Sequence, residues 1–391
     1  MSSKRTTLDL AALQGLTPGA PQVLGAIRLV PLLRAEVRED LRLGLQRYGE
    51  EAAVVDLGGG KGNAARAVYC SYVPHGLVVS WGTSGQAAAV YGGRLSRRDG
   101  KRFDLGACSV RVMARMVRRD DAQRLRFLPL HLALEGYLAL QFNGPDRAWS
   151  EYSDHALRRG LTPRRERVTP GRVVEGLADA LRGFEIHPGQ CGVLVFVADA
   201  LASAFVVPHP EDYRRLHRSL LEDVYGDLIA RYAGLYDQAG DLTPPWSLDG
   251  VETLDGLRSA LAEVRAAWAT QGRELAGGLF RLPLEAQRIY RLGAFELLRF
   301  LPTFALDGEA HVGECILRDD GTLEYLKTFR LTAAQTRRAF LLRQLAEHRW
   351  DLEATAAGLG TTHAELVLRL ERAGFGYLLK PHVLEAARRR R

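Results

Sequence analysis

The sequence predicts an α+β protein: a mixed or antiparallel sheet forms the body, helices flank it, and an all-helical helix-turn-helix ends the chain. Short β-like runs punctuated by glycine fill residues 24–110, and two more such runs lie within residues 193–207. Residues 331–391 contain three short helical patterns, with glycine between the second and third. At 391 residues, the chain is long enough for more than one domain.

The composition is that of a globular protein, with 47% hydrophobic and 25% charged residues. Every apolar run ends before the roughly 18 residues that a bilayer requires, so we expect a cytoplasmic protein without a membrane partner. The four cysteines lack the spacing of zinc ligands or of a disulfide framework. The sequence therefore assigns no metal, no cofactor and no catalytic residue, while the net charge of +7 favours anionic partners.

The pattern divides the chain into five segments. They are a flexible N-terminus (1–20), an α/β body (21–236), a linker rich in proline and glycine (237–256), a helical segment with a β-hairpin (257–330), and the helix-turn-helix with a basic tail (331–391). Within the body, a helix is predicted from residue 210 to about 232. In the fourth segment, helices are predicted at 257–275 and 283–301, before a hairpin turned by the sequence Asp-Asp-Gly at 319–321.

Capping residues delimit the three C-terminal helices. Thr332 is predicted to cap a helix over 333–349, and a second helix over 352–357 ends before Gly360. Thr361 or Thr362 then caps a third helix over 364–373. Residues 331–391 hold 11 Lys and Arg against 6 Asp and Glu, although four of these cations form a terminal run that is equally typical of a solvated end.

Residues 345–375 resemble the Fis-type helix-turn-helix that ends many bacterial activators, through the Ala356-Ala357-x-Leu359-Gly360 turn and the threonine cap that follows it. The resemblance implies that the third helix enters the major groove of DNA, and we expect binding as a homodimer. Base edges would be contacted by Thr361, Thr362, His363 and Glu365, and phosphates by Arg369 and Arg372. The alternative is a packing or protein-docking module of the same shape.

A glycine loop at residues 58–63 is the main candidate for a ligand site in the body. It follows the strand-like run 54–57 and resembles the first motif of S-adenosylmethionine-dependent methyltransferases, but the next strand pattern, 77–81, lacks the acidic residue that would bind a ribose. Gly59 and Gly60 would let backbone amides approach an anion, Lys61 would add charge, and Asn63 could donate a hydrogen bond. The alternative is a tight hairpin loop with a solvated lysine.

A second resemblance covers residues 21–235. The Gly59-Gly60-Lys61-x-Asn63 loop and the run from Pro188 to Val195 resemble the domain called ADP-ribosylglycohydrolase- and rhodanese-phosphatase-associated protein. It implies an α/β domain whose glycine loop binds a small anionic ligand, related to ADP-ribose or NAD.

The sequence thus predicts a DNA-binding regulator or sensor whose body binds a small anionic ligand or a protein partner. The alternative is an enzyme that uses the loop at 58–63 on a nucleotide-like substrate. Two further groups are better explained as surface and salt-bridging side chains, namely the histidines at 187, 209 and 217 and the cluster of Glu151, Asp154 and His155.

Overall fold

The computed structural model describes residues 5–8, 15–43, 67–70, 77–81, 86–90, 92–97, 107–111, 183–221, 225–234, 247–280, 284–301 and 310–390. Sixteen strands lie in these ranges: β1 Arg5–Leu8, β2 Leu16–Pro18, β3 Gln22–Leu24, β4 Ile27–Arg34, β5 Leu41–Leu43, β6 Ala67–Cys70, β7 Leu77–Trp81, β8 Gln86–Val90, β9 Arg94–Arg97, β10 Ala107–Arg111, β11 Gln190–Val197, β12 Ala200–Val206, β13 Leu284–Leu292, β14 Phe295–Leu301, β15 His311–Arg318 and β16 Leu323–Arg330.

The helices in the same ranges form two groups, one between β12 and β13 and the other after β16. They are α1 Pro210–Ser219, α2 Gly226–Tyr232, α3 Leu254–Leu275, α4 Gly277–Phe280, α5 Ala333–Glu347, α6 Leu352–Gly358, α7 His363–Leu370 and α8 Pro381–Arg389. A π-helical turn, Glu371–Phe375, and a 3-10 turn, Gly376–Leu378, join α7 to α8. Among the described residues, no helix combines the length and the apolar character needed to cross a bilayer.

A ten-stranded antiparallel sheet forms the centre of the described structure. Its order is β1-β13-β14-β15-β16-β12-β11-β4-β2, with β3 paired to β4. Two three-stranded sheets accompany it, β10-β8-β7 and β5-β6-β9. The α+β class with a large antiparallel sheet is therefore confirmed, and the one parallel pair among the described strands is β5 with β6.

Both faces of the large sheet are buried. Side chains alternate along β11, so that Val193 and Val195 belong to one hydrophobic cluster while Leu194 and Phe196 belong to the other. The first cluster is completed by α1, α2, the β5-β6-β9 sheet and the C-terminal helices. The second is completed by the end of α3 and by α4. The C-terminal helices thus share a core with the sheet.

The segment at 283–301 corrects the sequence interpretation, because it forms the hairpin of β13 and β14 and not a helix. The run is rich in Leu, Glu, Ala and Arg, which are good helix formers. Pairing with β1 on one side and β15 on the other overrides this local preference, and Gly293, with φ of 57°, makes the turn. The segment 257–330 therefore contains two hairpins instead of one.

The sheet is also continuous across the predicted linker at 237–256. Strand β12, which precedes it, pairs with β16, which follows it, through partners such as Phe205 and Lys327. Strands β4, β11 and β12 of the predicted body and strands β13 to β16 of the predicted fourth segment therefore belong to one sheet. The predicted helix over 210–232 is divided as well, since α1 ends at Ser219 and α2 begins at Gly226.

Candidate functional site

The turn between α6 and α7 is closed by backbone hydrogen bonds around one glycine. Gly360 adopts φ of 61°, in the left-handed region that favours glycine. Its N–H donates to the carbonyl of Ala357 at 3.0 Å, and the N–H of Thr361 donates to the carbonyl of Ala356 at 3.0 Å. This pair of bonds is a Schellman motif, which ends a helix at a defined angle. The glycine predicted from sequence to separate the two helices does so.

The start of α7 is held by a capping box. The hydroxyl of Thr362 accepts the N–H of Glu365 at 3.2 Å, and the carboxylate of Glu365 accepts the N–H of Thr362 at 3.2 Å. The hydroxyl of Thr361 donates to the same carboxylate oxygen, Oε2, at 2.6 Å, and this bond is the main reason that the pKa of Glu365 is lowered. The predicted threonine cap is therefore present, with helix α7 beginning at His363.

One face of α7 is exposed and the other is buried. Thr362, Glu365, Arg369 and Arg372 are exposed, while Thr361 and His363 are half-buried. The buried face consists of Leu366, Val367 and Leu370, each at most 1% exposed. All six residues that the sequence assigned to DNA thus lie along the start and the outer face of one helix and its C-terminal extension.

The corner between α5 and α6 contains two residues in an unusual backbone conformation. Arg349 and Trp350 have φ of 55° and 66°, although neither is glycine. The N–H of Trp350 donates to the carbonyl of Leu345 at 2.6 Å, which closes the end of α5. A β-carbon at Gly358 would lie 2.4 Å from Nε2 of His348, so a larger residue at this position would require the imidazole of His348 to move. The corner fixes α6 and α7 relative to α5.

Helix α5 is attached to the large sheet by packing and by an ion pair. Ala339, Leu342 and Leu345 belong to the same cluster as the sheet residues Phe329 and Val312. The guanidinium of Arg343 donates to the carboxylate of Glu285 on β13 at 2.8 Å. Helix α5 and the sheet are therefore joined by a shared apolar cluster and by an ion pair.

The predicted ligand loop belongs to the part of the chain that the structure does not describe. Gly59, Gly60, Lys61 and Asn63 lie outside the described residues. Within the described ranges, no group of three or more His, Cys, Asp or Glu side chains is arranged to hold a metal ion. His187 and His209 contact backbone amides in turns, and His209 also contacts Glu39 at 2.8 Å.

Sequence reasoning missed a row of ionisable side chains across the large sheet. Arg299, Glu314 and Lys327 are consecutive register partners on β14, β15 and β16, so their side chains share one face. Glu314 and Lys327 are 0% and 2% exposed. The alternation of β16 could have revealed Lys327, since it stands between Tyr325 and Phe329, which face the core.

Comparison with known proteins identifies the larger part of the chain. A family model described as ARPP-2 matches residues 11–293, which is more than half of the sequence. It confirms the resemblance seen at residues 21–235 and extends it across the predicted linker. No curated protein and no solved structure matches the chain. Helices α5 to α8 lie beyond the matched residues.

Proposed function

We propose that this chain, which belongs to the ARPP-2 family, is a DNA-binding regulator that contacts duplex DNA through the C-terminal helices beyond the family match. The observation that carries the proposal is the two-sided character of α7. Its apolar side is buried in the core, while Thr362, Arg369 and Arg372 are exposed after a glycine turn. A helix of this kind, held by two preceding helices, is the element that helix-turn-helix proteins insert into the major groove.

The start of α7 offers the groups that would read bases. Thr362 and His363 present a hydroxyl and an imidazole at the first turn. The hydrogen bonds described for Glu365 all involve Oε2, so among the described residues Oε1 is left to accept a bond from the amino group of cytosine. Glu365 would then discriminate bases while its other oxygen maintains the helix cap.

The cations would supply affinity. Arg369 and Arg372 project from the end of α7 and its extension, where they can reach phosphates on either side of the groove. Lys380, Arg389 and Arg390 are exposed further along. Each phosphate neutralised by a cation releases counterions, so this part of the binding is independent of sequence and sensitive to salt.

The shared core supports a regulatory role for the body. Since α5 packs on the large sheet and pairs through Arg343 with Glu285, a ligand or partner that alters the sheet would alter the position of α6 and α7. In this proposal the ligand is a small anion related to ADP-ribose or NAD. The predicted contacts, Gly59 to Asn63, lie outside the described residues, and the same holds for the enzymatic alternative.

Fluorescence anisotropy of a labelled duplex, titrated with the full chain over a range of salt, tests DNA binding. The R369A/R372A double variant should bind roughly 10- to 100-fold more weakly, and the slope of log K against log salt should fall by about 2, close to one per phosphate contact. A duplex of two inverted half-sites would then show whether two chains bind together, as a homodimer requires.

The matched control is the R288A/R291A double variant. It removes the same charge from exposed arginines on the β13–β14 hairpin, at 59% and 52% exposure. It should bind as the unmodified chain does. Equal losses in both double variants would mean that only net charge matters, and no binding even at low salt would end the DNA hypothesis in favour of a docking module.

A further inference from the structure

The side chain of Lys327, on β16 of the large sheet, carries a buried amine. It is 2% exposed, and its Nζ lies 5.7 Å from the ring centroid of Phe205, its register partner on β12. The ring of Tyr325, on the same strand, contacts the ring of Tyr69 in the small β5-β6-β9 sheet, with centroids 5.2 Å apart and the ring planes tilted by 41°. The amine therefore lies beside the ring of Phe205, on a side chain that is almost completely buried.

The nearest carboxylate is bound to other groups. Glu314 is opposite Lys327 on β15, but its oxygens accept hydrogen bonds from Nε of Arg299, at 3.1 Å, and from the N–H of Gly93. A β-carbon at Gly92 would lie 2.9 Å from Arg299 and 3.1 Å from Glu314, so the glycine lets the backbone reach this carboxylate. Within the described residues, Lys327 forms neither an ion pair nor a hydrogen bond.

The presence of a lysine, and not an arginine, at position 327 indicates that this cation can lose its charge. The chain has only five lysines among its 53 Lys and Arg residues. An arginine here would remain charged, whereas a lysine can become neutral when it is buried. Burial lowers the pKa of Lys327 to about 7, against the raising effect of Glu314. At neutral pH, a large fraction of this amine is thus unprotonated and nucleophilic.

We propose that Lys327 is a carbonyl-binding amine that forms an imine with a small aldehyde. The lone pair of Nζ attacks the carbonyl carbon to give a carbinolamine. Both hydrogens of the amine then leave with the carbonyl oxygen as water, so that the C=N double bond replaces the C=O bond and no oxidant is needed. Glu314 would offset the positive charge of the protonated imine, and the burial of the Lys327 side chain would slow hydrolysis by limiting access of water.

Reductive trapping on the folded, full-length chain tests this inference, which does not depend on DNA binding. The chain is incubated at pH 7 with glycolaldehyde and sodium cyanoborohydride, and hydroxyethylated lysines are identified by peptide mass spectrometry. A lysine at the ordinary pKa near 10.4 is neutral in less than about one part in a thousand at this pH. We expect Lys327 to be modified at least about 10-fold faster than an ordinary exposed lysine.

Lys380, which is exposed in the same molecule, is the internal control. Modification of Lys380 without Lys327, or modification of Lys327 in the denatured chain only, would overturn the proposal. Trapping at Lys327 should also rise with pH through about 7 and then level off. A smaller aldehyde should react faster than a bulky one such as pyridoxal, because the amine is covered.

The E314Q variant provides a second readout that a structural lysine would not change. Removing the negative charge removes an effect that raises the pKa of Lys327, so the midpoint of the trapping curve should move to lower pH. An unchanged midpoint would contradict the role given to this amine. If E314Q does not fold, the unmodified chain still tests the proposal, through modification of Lys327 or of Lys380 alone.

Discussion

The large sheet and the C-terminal helices place their cations in opposite environments. Lys327 is 2% exposed on β16, while Arg369 projects into solvent from α7. Burial makes Lys327 a weaker base, because a lysine can lose its charge, whereas the guanidinium of Arg369 stays charged in any environment and is exposed to anions in solution. In this chain, the role of a cationic side chain is therefore indicated by its residue type and its burial together, and not by how often lysine or arginine occurs.

The largest expected effect tests whether the two regions truly share one core. Leu366 is 0% exposed in α7, within the cluster that includes the sheet. L366A should lower the free energy of unfolding by roughly 2–5 kcal/mol, through lost burial and a residual cavity. Urea titration followed by circular dichroism measures the loss. The control is L368A, because Leu368 on the same helix is only half-buried and should lose less stability. An equal loss in L368A would show that α7 does not pack as described.

The next prediction concerns the pH dependence of stability. The pKa of Lys327 is about 7 in the folded chain and near 10.5 when unfolded, so the unfolded chain binds more protons between these values. The contribution of Lys327 to the unfolding free energy should therefore rise with pH from about 7 to 10.5, by at most about 1.4 kcal/mol per unit. In K327M this contribution should vanish. Urea titrations across the range check it, and identical pH profiles for the two chains would place Lys327 in contact with water.

A smaller loss of stability is expected when the N-terminal cap of α7 is removed. Thr362 accepts the N–H of Glu365, so T362A should cost about 1 kcal/mol. T361A removes a hydroxyl that binds the Glu365 side chain but not the helix backbone, and should cost less. Thermal unfolding of both variants compares the two threonines. The reverse order would mean that the bond between Thr361 and Glu365, rather than the cap, holds the turn.

The smallest expected change in the free energy of unfolding is that of R369A, and it distinguishes a solvent-facing arginine from one that attaches a helix to the sheet. R369A should change the unfolding free energy by no more than roughly 0.5 kcal/mol, as expected for a surface substitution. R343A should cost more, because it breaks the bond to Glu285 that joins α5 to β13. Denaturant titrations of both variants measure the difference. A large loss in R369A would reveal a contact that buries this side chain.

Local signals predicted the C-terminal helices well because capping and turn chemistry act over a few residues. Thr332 forms a capping box with Gln335, Thr362 forms one with Glu365, and Gly360 makes the intervening turn. The hairpin of β15 and β16 was likewise predicted from its turn and its flanking runs. The same kind of reasoning failed at residues 283–301, where helix-forming residues are held as strands by β1 and β15.

The sequence by itself determined the α+β class, the family resemblance of the body, and the presence and order of the three helices before the basic tail. Those features depend on alternation, caps and turns, which neighbouring residues encode. Only the tertiary structure decided that β12 pairs with β16 across the predicted linker, and that Lys327 faces Glu314 within a shared core. Such pairings join residues far apart in the chain, and their energies come from burial and register, which no local pattern contains.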